Sequence, residues 1–140
     1  MKILRLSKTF MRPHPRTGEP TGFKEKFLLG EKIHTLRENR NGYYKDGDIV
    51  KICEWEGEPF RSKPVTIKEG VRIGVVPVGI MFEKGMSFAY TLNNLKNEVF
   101  VKDLARNDGL SKDDFIRWFF PDGYGTWQGS IIHFTDFRYT

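Results

Sequence analysis

Glycine and proline interrupt the apolar runs of this chain, and these interruptions limit the helices and strands that it can form. The 140 residues include 14 glycines and 7 prolines. The longest apolar stretch, residues 71–82, is itself broken by Gly74, Pro77 and Gly79. In a strand, such residues mark bulges or bends where a sheet curls. The pattern therefore favours a mainly β domain with a strongly curved sheet.

Further short runs alternate apolar and polar residues, as half-buried strands do. They are residues 2–6, 32–37, 49–55, 60–67, 86–92 and 130–138. The run 49–55 is apolar on both faces, which predicts a buried central strand. Pro64 favours an edge position for its run, because proline lacks the N–H that a ladder needs. A Glu-Lys-Gly turn at residues 83–85 predicts a hairpin.

A first helix is predicted ahead of the run 32–37. Thr21 can cap this helix, and Gly30 can end it in the left-handed conformation. The preceding residues, 10–20, contain three prolines and a glycine. Such a segment cannot continue a strand or a helix, so we expect a loop long enough to lie over a site.

Two more helices are predicted in the second half of the chain. Residues 97–106 carry four apolar side chains on one stripe and favour a helix, although residues 99–101 could also form a strand. Ser111 and Asp114 form a capping box for the next helix, which Pro121 closes.

This order of elements is typical of a small barrel. It runs strand, helix, several strands, two helices and a last strand, without an internal repeat or an interdomain linker. We therefore expect an α+β, mainly β fold, a partly open β-barrel of about six strands with helices on its rim. A chain of 140 residues is long enough to bury a core, so residues 1–140 are predicted to form a single domain.

The net charge of +5 lies in one part of the chain. Residues 1–16 hold five basic residues and no acid, whereas the remainder has 18 basic and 18 acidic residues. The basicity thus belongs to the first strand and the loop after it. The overall charge is weak support for a nucleic-acid partner.

Composition also bears on location and cofactors. No apolar run approaches the ~20 residues that span a bilayer, and the start is interrupted by basic residues, unlike a signal peptide. We expect a cytoplasmic protein with no membrane contact. The single cysteine, Cys53, agrees with a reducing compartment. His14, His34 and His133 with Cys53 lack the spacing of zinc ligands, so neither a metal nor a cofactor is predicted.

Four polar side chains of different chemistry follow Gly30 within a short segment. They are Lys32, His34, Thr35 and Arg37. On a stiff element they suit a functional site, although a solvated strand could show the same pattern. In a regular strand Lys32 and Thr35 would point to opposite faces. They meet in one cleft only if Lys32 precedes the first ladder bond or a bulge separates them.

Three groups of residues resemble the motifs of the activating signal cointegrator homology (ASCH) domain. They are Gly30-x-Lys32-x-x-Thr35-x-Arg37, the Tyr-Lys-x-Gly-Asp turn at residues 44–48, and Asp108-Gly109-Leu110 ahead of the aromatic helix. The resemblance spans roughly residues 21–137. It implies a PUA-like β-barrel with a cleft near the first motif and an RNA or nucleotide ligand.

Two functions follow from this resemblance. The first is a binding module whose cleft, lined by Lys32, Thr35, Arg37 and Asp108, holds RNA or a nucleotide. The second follows from small bacterial members that look like amidohydrolases, removing an acyl group from N4-acylated cytidine with a lysine, a threonine and a glutamate. Lys32 and Thr35 match the first two, and the acid falls at Asp108, one methylene shorter than the family's glutamate. A ribonuclease is a third possibility, for which the sequence offers no metal-binding cluster.

In the amidohydrolase hypothesis, Thr35 attacks the acyl amide of the modified nucleoside, Lys32 acts as the base and Asp108 orients Lys32. A lysine serves as a base only when desolvation or neighbouring charges lower its pKa. The structural alternative is a surface Lys32 with a snorkelling side chain and a buried Thr35 that caps the backbone.

The other candidate ligand-binding residues also have structural alternatives. Arg37 could grip a phosphate or a base edge, or form an ion pair with Asp46, Asp48 or Asp108. Arg61 and Lys63 could contact phosphate or form a solvated edge face. Tyr44 and Trp127 could stack on bases or pack at an end of the barrel.

Overall fold

The computed structural model describes residues 1–57, 61–92 and 96–140, which contain eight strands and three α-helices. The strands are β1 (Lys2–Arg5), β2 (His34–Arg37), β3 (Ile49–Trp55), β4 (Pro64–Arg72), β5 (Gly74–Glu83), β6 (Met86–Leu92), β7 (Lys96–Val99) and β8 (Gly125–His133). The helices are α1 (Phe23–Leu28), α2 (Val101–Asn107) and α3 (Lys112–Phe119), with a 3-10 turn at Arg40–Gly42. Across the described ranges, no helix has the length and apolar character needed to cross a membrane.

The strands form two sheets. One has the order β1-β3-β4, with β1 parallel and β4 antiparallel to β3. The other has the order β2-β8-β5-β6-β7 and is antiparallel throughout. Over the described residues neither sheet closes on itself, so the predicted PUA-like barrel of about six strands is wrong, whereas the mainly β, α+β composition agrees with the prediction.

Strand β5 lacks the bends that were expected at Gly74, Pro77 and Gly79. This strand pairs with β8 in continuous register from Gly74↔His133 to Phe82↔Gly125. Pro77 is tolerated because the ladder with β6 begins only at Val78, so no partner on that side needs its N–H. A Cβ on Gly79 would lie 2.5 Å from the Tyr90 ring. The glycine therefore makes room for a side chain on the sheet surface and does not bend the strand.

Several predicted bounds agree with the structure. Strands β3 and β6 have the predicted limits, and β3 is the central strand of its sheet, as expected. The hairpin between β5 and β6 has Lys84 and Gly85 at φ 52° and 76°, as a tight turn of two left-handed residues requires. Ser111 caps α3 by accepting a hydrogen bond from the Asp114 N–H at 3.1 Å.

Other bounds differ from the prediction. The segment 97–106 divides between β7 and α2, because the apolar Val99 pairs with Ala89 of β6. Strand β8 begins at Gly125 and ends at His133, so it takes up glycine-rich residues that were expected to form a loop. Strand β4 is an edge strand, as Pro64 indicated, but it begins at Pro64, and Phe60 lies outside the described residues.

One buried cluster joins the two sheets and the helices. It includes Leu4 and Ile52 from the first sheet, Ile131 from the second, and Leu104 and Phe115 from α2 and α3. The helices α2 and α3 therefore pack on the same core as both sheets. This arrangement leaves a cavity where the ends of β1, β2 and β3 meet the helices.

Candidate functional site

The cavity has a volume of about 420 Å³ and is bounded by residues of both sheets, of α1 and α3, and by Asp108 directly after α2. Its lining combines basic, acidic and aromatic side chains. They include Arg5, Phe23, Lys32, Thr35, Arg37, Tyr44, Trp55, Asp108, Trp118 and Phe119. The structure therefore brings Lys32, Thr35, Arg37, Tyr44 and Asp108 together, five residues that the sequence singled out.

The start of β2 explains how Lys32 and Thr35 reach the same cavity. The first ladder pair of β2 is His34↔His133, so the strand begins two residues later than predicted and Lys32 precedes it. Gly30 has a φ of 79°, and the N–H of Lys32 donates to the Lys26 carbonyl at 3.1 Å. Lys32 thus belongs to the turn that ends α1, and the alternation of the strand does not apply to it.

Lys32 is buried, with a side chain only 1% exposed. Its Nζ donates to the backbone oxygen of Asp108 at 2.8 Å and to Asp108 Oδ1 at 3.1 Å, and it lies 4.1 Å from the centre of the Phe23 ring. Burial lowers the pKa of Lys32, and Asp108 opposes this shift. The alternative of a snorkelling surface lysine does not fit this position.

Asp108 lies at the C-terminal end of α2, where it offers Lys32 two oxygens at once. The carbonyl is at the negative end of the helix, and the carboxylate carries a full charge. Its Oδ1 also lies 3.5 Å from His34 Nδ1. The Asp108 side chain, although one methylene shorter than the glutamate of the ASCH amidohydrolases, therefore contacts Lys32. It also lies close to the imidazole of His34.

A buried chain of polar side chains leads to Asp108 through His34. Asn107 Nδ2 donates to the Tyr139 hydroxyl at 3.0 Å, and the His34 Nε2 lies 2.6 Å from the same oxygen. Since the hydroxyl receives the amide hydrogen, it can donate its own to His34 Nε2, which leaves the proton of the neutral imidazole on Nδ1, facing Asp108. Burial lowers the pKa of His34 and raises that of Tyr139.

Thr35 lies on β2 with 7% of its surface exposed. Its hydroxyl makes no hydrogen bond with residues 1–57, 61–92 or 96–140, so the alternative of a threonine that caps the backbone is not observed there. A buried hydroxyl without a partner is available to a ligand. The Thr35 hydroxyl is therefore available to contact a ligand in the cavity.

Arg37 ends β2 on the same wall. Its Nη2 donates to the backbone oxygen of Arg5, and among the described residues it has no ion pair. Asp48 pairs with Lys2 at 2.8 Å, and Asp46 accepts from the Val75 N–H at 2.8 Å. The predicted salt-bridge alternatives to a ligand are thus not seen, and burial lowers the pKa of the Arg37 guanidinium.

Arg5 and Trp55 line the cavity although sequence reasoning did not select them. The guanidinium of Arg5 lies 4.7 Å from the centre of the Trp55 ring. The available signal was the alternation of β1, which buries Leu4 and Leu6 in the core and turns Arg5 the other way. Tyr44 lies nearby, and its hydroxyl donates to the Ile3 carbonyl at 2.9 Å.

The remaining predicted ligand-binding residues lie outside the cavity lining. Arg61 and Lys63 are exposed, and they precede β4 instead of sharing a strand face. Trp127 is half-buried on β8, with its ring 4.8 Å from the ring of Phe119, which is itself part of the lining. Trp127 therefore supports the wall instead of forming it.

The predicted loop over residues 10–20 does reach the cavity. Met11 belongs to the lining. The loop is held to α3 because His14 Nε2 donates to the Asp114 carbonyl at 3.1 Å and Arg16 forms an ion pair with the Asp114 carboxylate. One edge of the cavity is thereby made by a loop with fixed attachment points.

No group of three or more His, Cys, Asp or Glu side chains that could hold a metal ion occurs in the described ranges. Comparisons of the chain with protein-family models, with curated proteins and with solved structures find no match.

Proposed function

We propose that the cavity binds a nucleoside or nucleotide, either free or as part of an RNA, in the manner that the resemblance to ASCH domains implies. The carrying observation is that one cavity combines aromatic rings with the polar groups of Lys32, Thr35, Arg37 and Asp108. Its volume of about 420 Å³ falls within the range of roughly 300–1,000 Å³ that is typical of small-molecule sites.

The apolar and the polar parts of the cavity lining suit different parts of such a ligand. Phe23, Trp118 and Phe119 supply flat apolar surface on which a base can stack. Thr35 and Arg37 supply hydrogen-bonding groups that are not used up by ion pairs within the described structure. A nucleobase presents a planar face to the rings and polar edges to Thr35, and the phosphate of a nucleotide suits the charged Arg37.

Ligand titration tests this proposal. Trp55 and Trp118 line the cavity, so their fluorescence should change when cytidine or a short RNA oligonucleotide is added, and calorimetry gives the affinity. We expect Arg37→Ala to weaken binding of the oligonucleotide by about tenfold or more, the equivalent of one lost charged contact.

Arg61→Ala is the matched control, because Arg61 is exposed and lies outside the cavity lining. It should bind as the wild type does. Absence of binding by both ligands, or equal losses in the two variants, would rule out this cavity as the site.

A second candidate function is hydrolysis of an acyl amide on a modified cytidine, with Thr35 as nucleophile and Lys32 as base. It is favoured by one observation, a buried lysine of lowered pKa in the same cavity as a hydroxyl with no hydrogen bond in the described structure. Neutral Lys32 would take the proton of Thr35 as its oxygen attacks the acyl carbon. The same proton would then pass to N4 as the C–N bond breaks, releasing cytidine and leaving an acyl-threonine ester for water to hydrolyse.

Incubation with N4-acetylcytidine, followed by chromatography, tests the second candidate. Release of cytidine should disappear in Thr35→Val, which keeps the shape of the side chain, and persist in Thr35→Ser, which keeps a hydroxyl. No release at high protein concentration would eliminate the enzyme and leave the binding function standing.

A further inference from the structure

Among the described residues, the cavity lining contains more basic than acidic side chains. Its described residues include the basic side chains of Arg5, Lys8, Lys32 and Arg37, and their only carboxylate is that of Asp108. Asp108 is already engaged by Lys32 at 3.1 Å. Two guanidinium groups, those of Arg5 and Arg37, therefore line the cavity without an acidic partner in the described structure.

Four arginines outside the cavity lining have acidic partners in the described structure. Arg16, Arg40, Arg106 and Arg117 each form an ion pair with an aspartate or glutamate. The four arginine side chains are themselves 43–83% exposed, and an ion pair at the surface contributes only modestly to stability. Arg5 and Arg37 line a partly enclosed cavity, where a charge without a carboxylate partner is more costly than at the surface.

The guanidinium group of Arg5 is also positioned to bind a ligand. Its Nε is buried and has no hydrogen-bond partner among the described residues, and its guanidinium lies 4.7 Å from the centre of the Trp55 ring. Stacking on an indole fixes the plane of a guanidinium while leaving its edge free to donate. Its in-plane N–H groups are thus oriented before any ligand arrives.

Arg37 lies close to Arg5 because its Nη2 donates to the backbone oxygen of Arg5. Both guanidinium charges also act on the Tyr44 phenol, whose pKa they lower against the larger raising effect of burial. Two planar donors, one from each sheet, therefore bring positive charge to the cavity lining beside Tyr44.

We infer that Arg5 and Arg37 form a subsite for a phosphate group, so that the preferred ligand of the cavity is a phosphorylated nucleotide and not a free nucleoside. Guanidinium groups match the oxygens of a phosphate ester by paired N–H donors, and the negative charge supplies the partner that the lining lacks. This inference rests on the proposed nucleotide-binding function and specifies its ligand. The phosphate could be a monoester of a free nucleotide or a diester within RNA, which share this chemistry.

Calorimetry with matched ligands tests the subsite. Cytidine, cytidine 5′-monophosphate, the dinucleotide CpC and inorganic phosphate are each titrated into the wild-type protein at low salt. We expect cytidine monophosphate to bind about tenfold or more tightly than cytidine, as one charge-assisted contact provides. If CpC shows the same advantage, the subsite accepts a diester; if only the monophosphate does, it requires a terminal phosphate.

The variant Arg5→Gln should remove this advantage and leave the affinity for cytidine within about twofold of the wild type, since only the phosphate contact is lost. Arg5→Lys keeps the charge without the planar fork and should retain part of the advantage. Arg61→Gln, which alters an exposed arginine outside the lining, should leave it unchanged. If Arg5→Gln does not fold, competition by sulfate against each ligand in the wild type replaces it: sulfate should compete with the monophosphate and not with cytidine.

The outcomes separate this inference from the proposed function. Equal affinities for cytidine and its monophosphate, or a loss in Arg5→Gln that is the same for both, would overturn the phosphate subsite and leave nucleoside binding intact. Binding of inorganic phosphate without either nucleoside or nucleotide would retain an anion site and reject the nucleotide function. Absence of binding by all four compounds would reject both.

Discussion

At the scale of single residues, Asp108 connects the parts of the site. Its Oδ1 lies 3.1 Å from Lys32 Nζ and 3.5 Å from His34 Nδ1, and its carbonyl accepts a second hydrogen bond from Lys32. A buried lysine is tolerated only with such partners, because the desolvation of an ammonium group is costly. The carboxylate therefore holds the Lys32 side chain in place whether or not the cavity carries out catalysis.

We predict that Asp108→Ala lowers the free energy of unfolding by about 3–5 kcal/mol, because it leaves the Lys32 ammonium buried without its counter-charge. Asp108→Asn should be less harmful, since the amide oxygen still accepts a hydrogen bond. Urea denaturation followed by circular dichroism measures both.

The exposed Asp122 offers a control, and Asp122→Ala should change stability by less than about 0.5 kcal/mol. In the double variant Lys32→Met, Asp108→Ala the loss should be smaller than the sum of the single losses, because the two charges act as one unit. A loss below about 1 kcal/mol in Asp108→Ala would contradict a buried ion pair at this position.

At the scale of elements, glycines allow the strands of the second sheet to carry large side chains close to the backbone. A Cβ on Gly129 of β8 would lie 2.4 Å from the carbonyl oxygen of Arg37 and 2.4 Å from the Trp127 ring. The Arg37 oxygen belongs to the backbone, so it could move only if β2 moved with it. Gly129 thus determines where β2, and with it Thr35 and Arg37, sits against β8.

We therefore predict that Gly129→Ala destabilises the protein by about 1–3 kcal/mol, as overpacking of a well-filled region does. It should also weaken ligand binding, because the end of β2 must shift away from the cavity. Thermal denaturation and the cytidine titration measure the two effects.

Gln128→Ala is the matched control, since Gln128 is the exposed neighbour of Gly129 on β8. It should leave both quantities unchanged. If Gly129→Ala denatures at the wild-type temperature, the close contact with the Arg37 carbonyl is not a constraint on the strand.

At the scale of the whole molecule, buried histidines should make stability depend on pH. His133 is 1% exposed, and neither of its ring nitrogens has a hydrogen-bond partner among the described residues. Burial, together with the positive charges of His34 and Arg138, lowers the pKa of His133 to about 3. Burial also lowers the pKa of His34, although Asp108 opposes that shift.

The sign of the effect follows from these directions. Below the unfolded pKa of about 6.5, the unfolded chain takes up protons that the folded protein does not bind. Stability should therefore fall as the pH decreases from 6.5 towards 3, the range over which His133 differs between the two states, by up to about 1.4 kcal/mol per pH unit for each histidine.

We predict that His133→Phe removes the part of this dependence that belongs to His133. Between pH 7.5 and pH 5 the variant should lose about 2 kcal/mol less than the wild type, because phenylalanine takes up no proton. At pH 7.5 it should be within about 1 kcal/mol of the wild type, since the ring that it replaces is buried without hydrogen bonds to the described residues.

Urea denaturation at several pH values provides the comparison. Thr126→Ala, an exposed change on the same strand, should keep the wild-type dependence. An unchanged pH dependence in His133→Phe would show that His133 is not the group responsible.

Local features of this protein follow from its sequence alone. The cap of α3 at Ser111, the hairpin at Lys84 and Gly85, and the limits of β3 and β6 agree with the structure. Each depends on the chemistry of a few neighbouring residues, such as a hydroxyl that accepts an N–H or a glycine that adopts positive φ. The sequence likewise identified Lys32, Thr35 and Arg37 as one group of candidate site residues after Gly30.

The tertiary structure decided how these elements combine. Two open sheets replace the expected barrel, and Gly79 and Gly129 make room for a side chain and for the backbone of a neighbouring strand. A glycine gives the same local signal whether it bends a strand or makes room. Lys32 and Thr35 share a cavity only because the ladder with β8 begins at His34. The role inferred for Arg5 depends on a cavity in which the one carboxylate of the described lining, that of Asp108, is engaged by Lys32. These surroundings come from distant parts of the chain, and no pattern of adjacent residues encodes them.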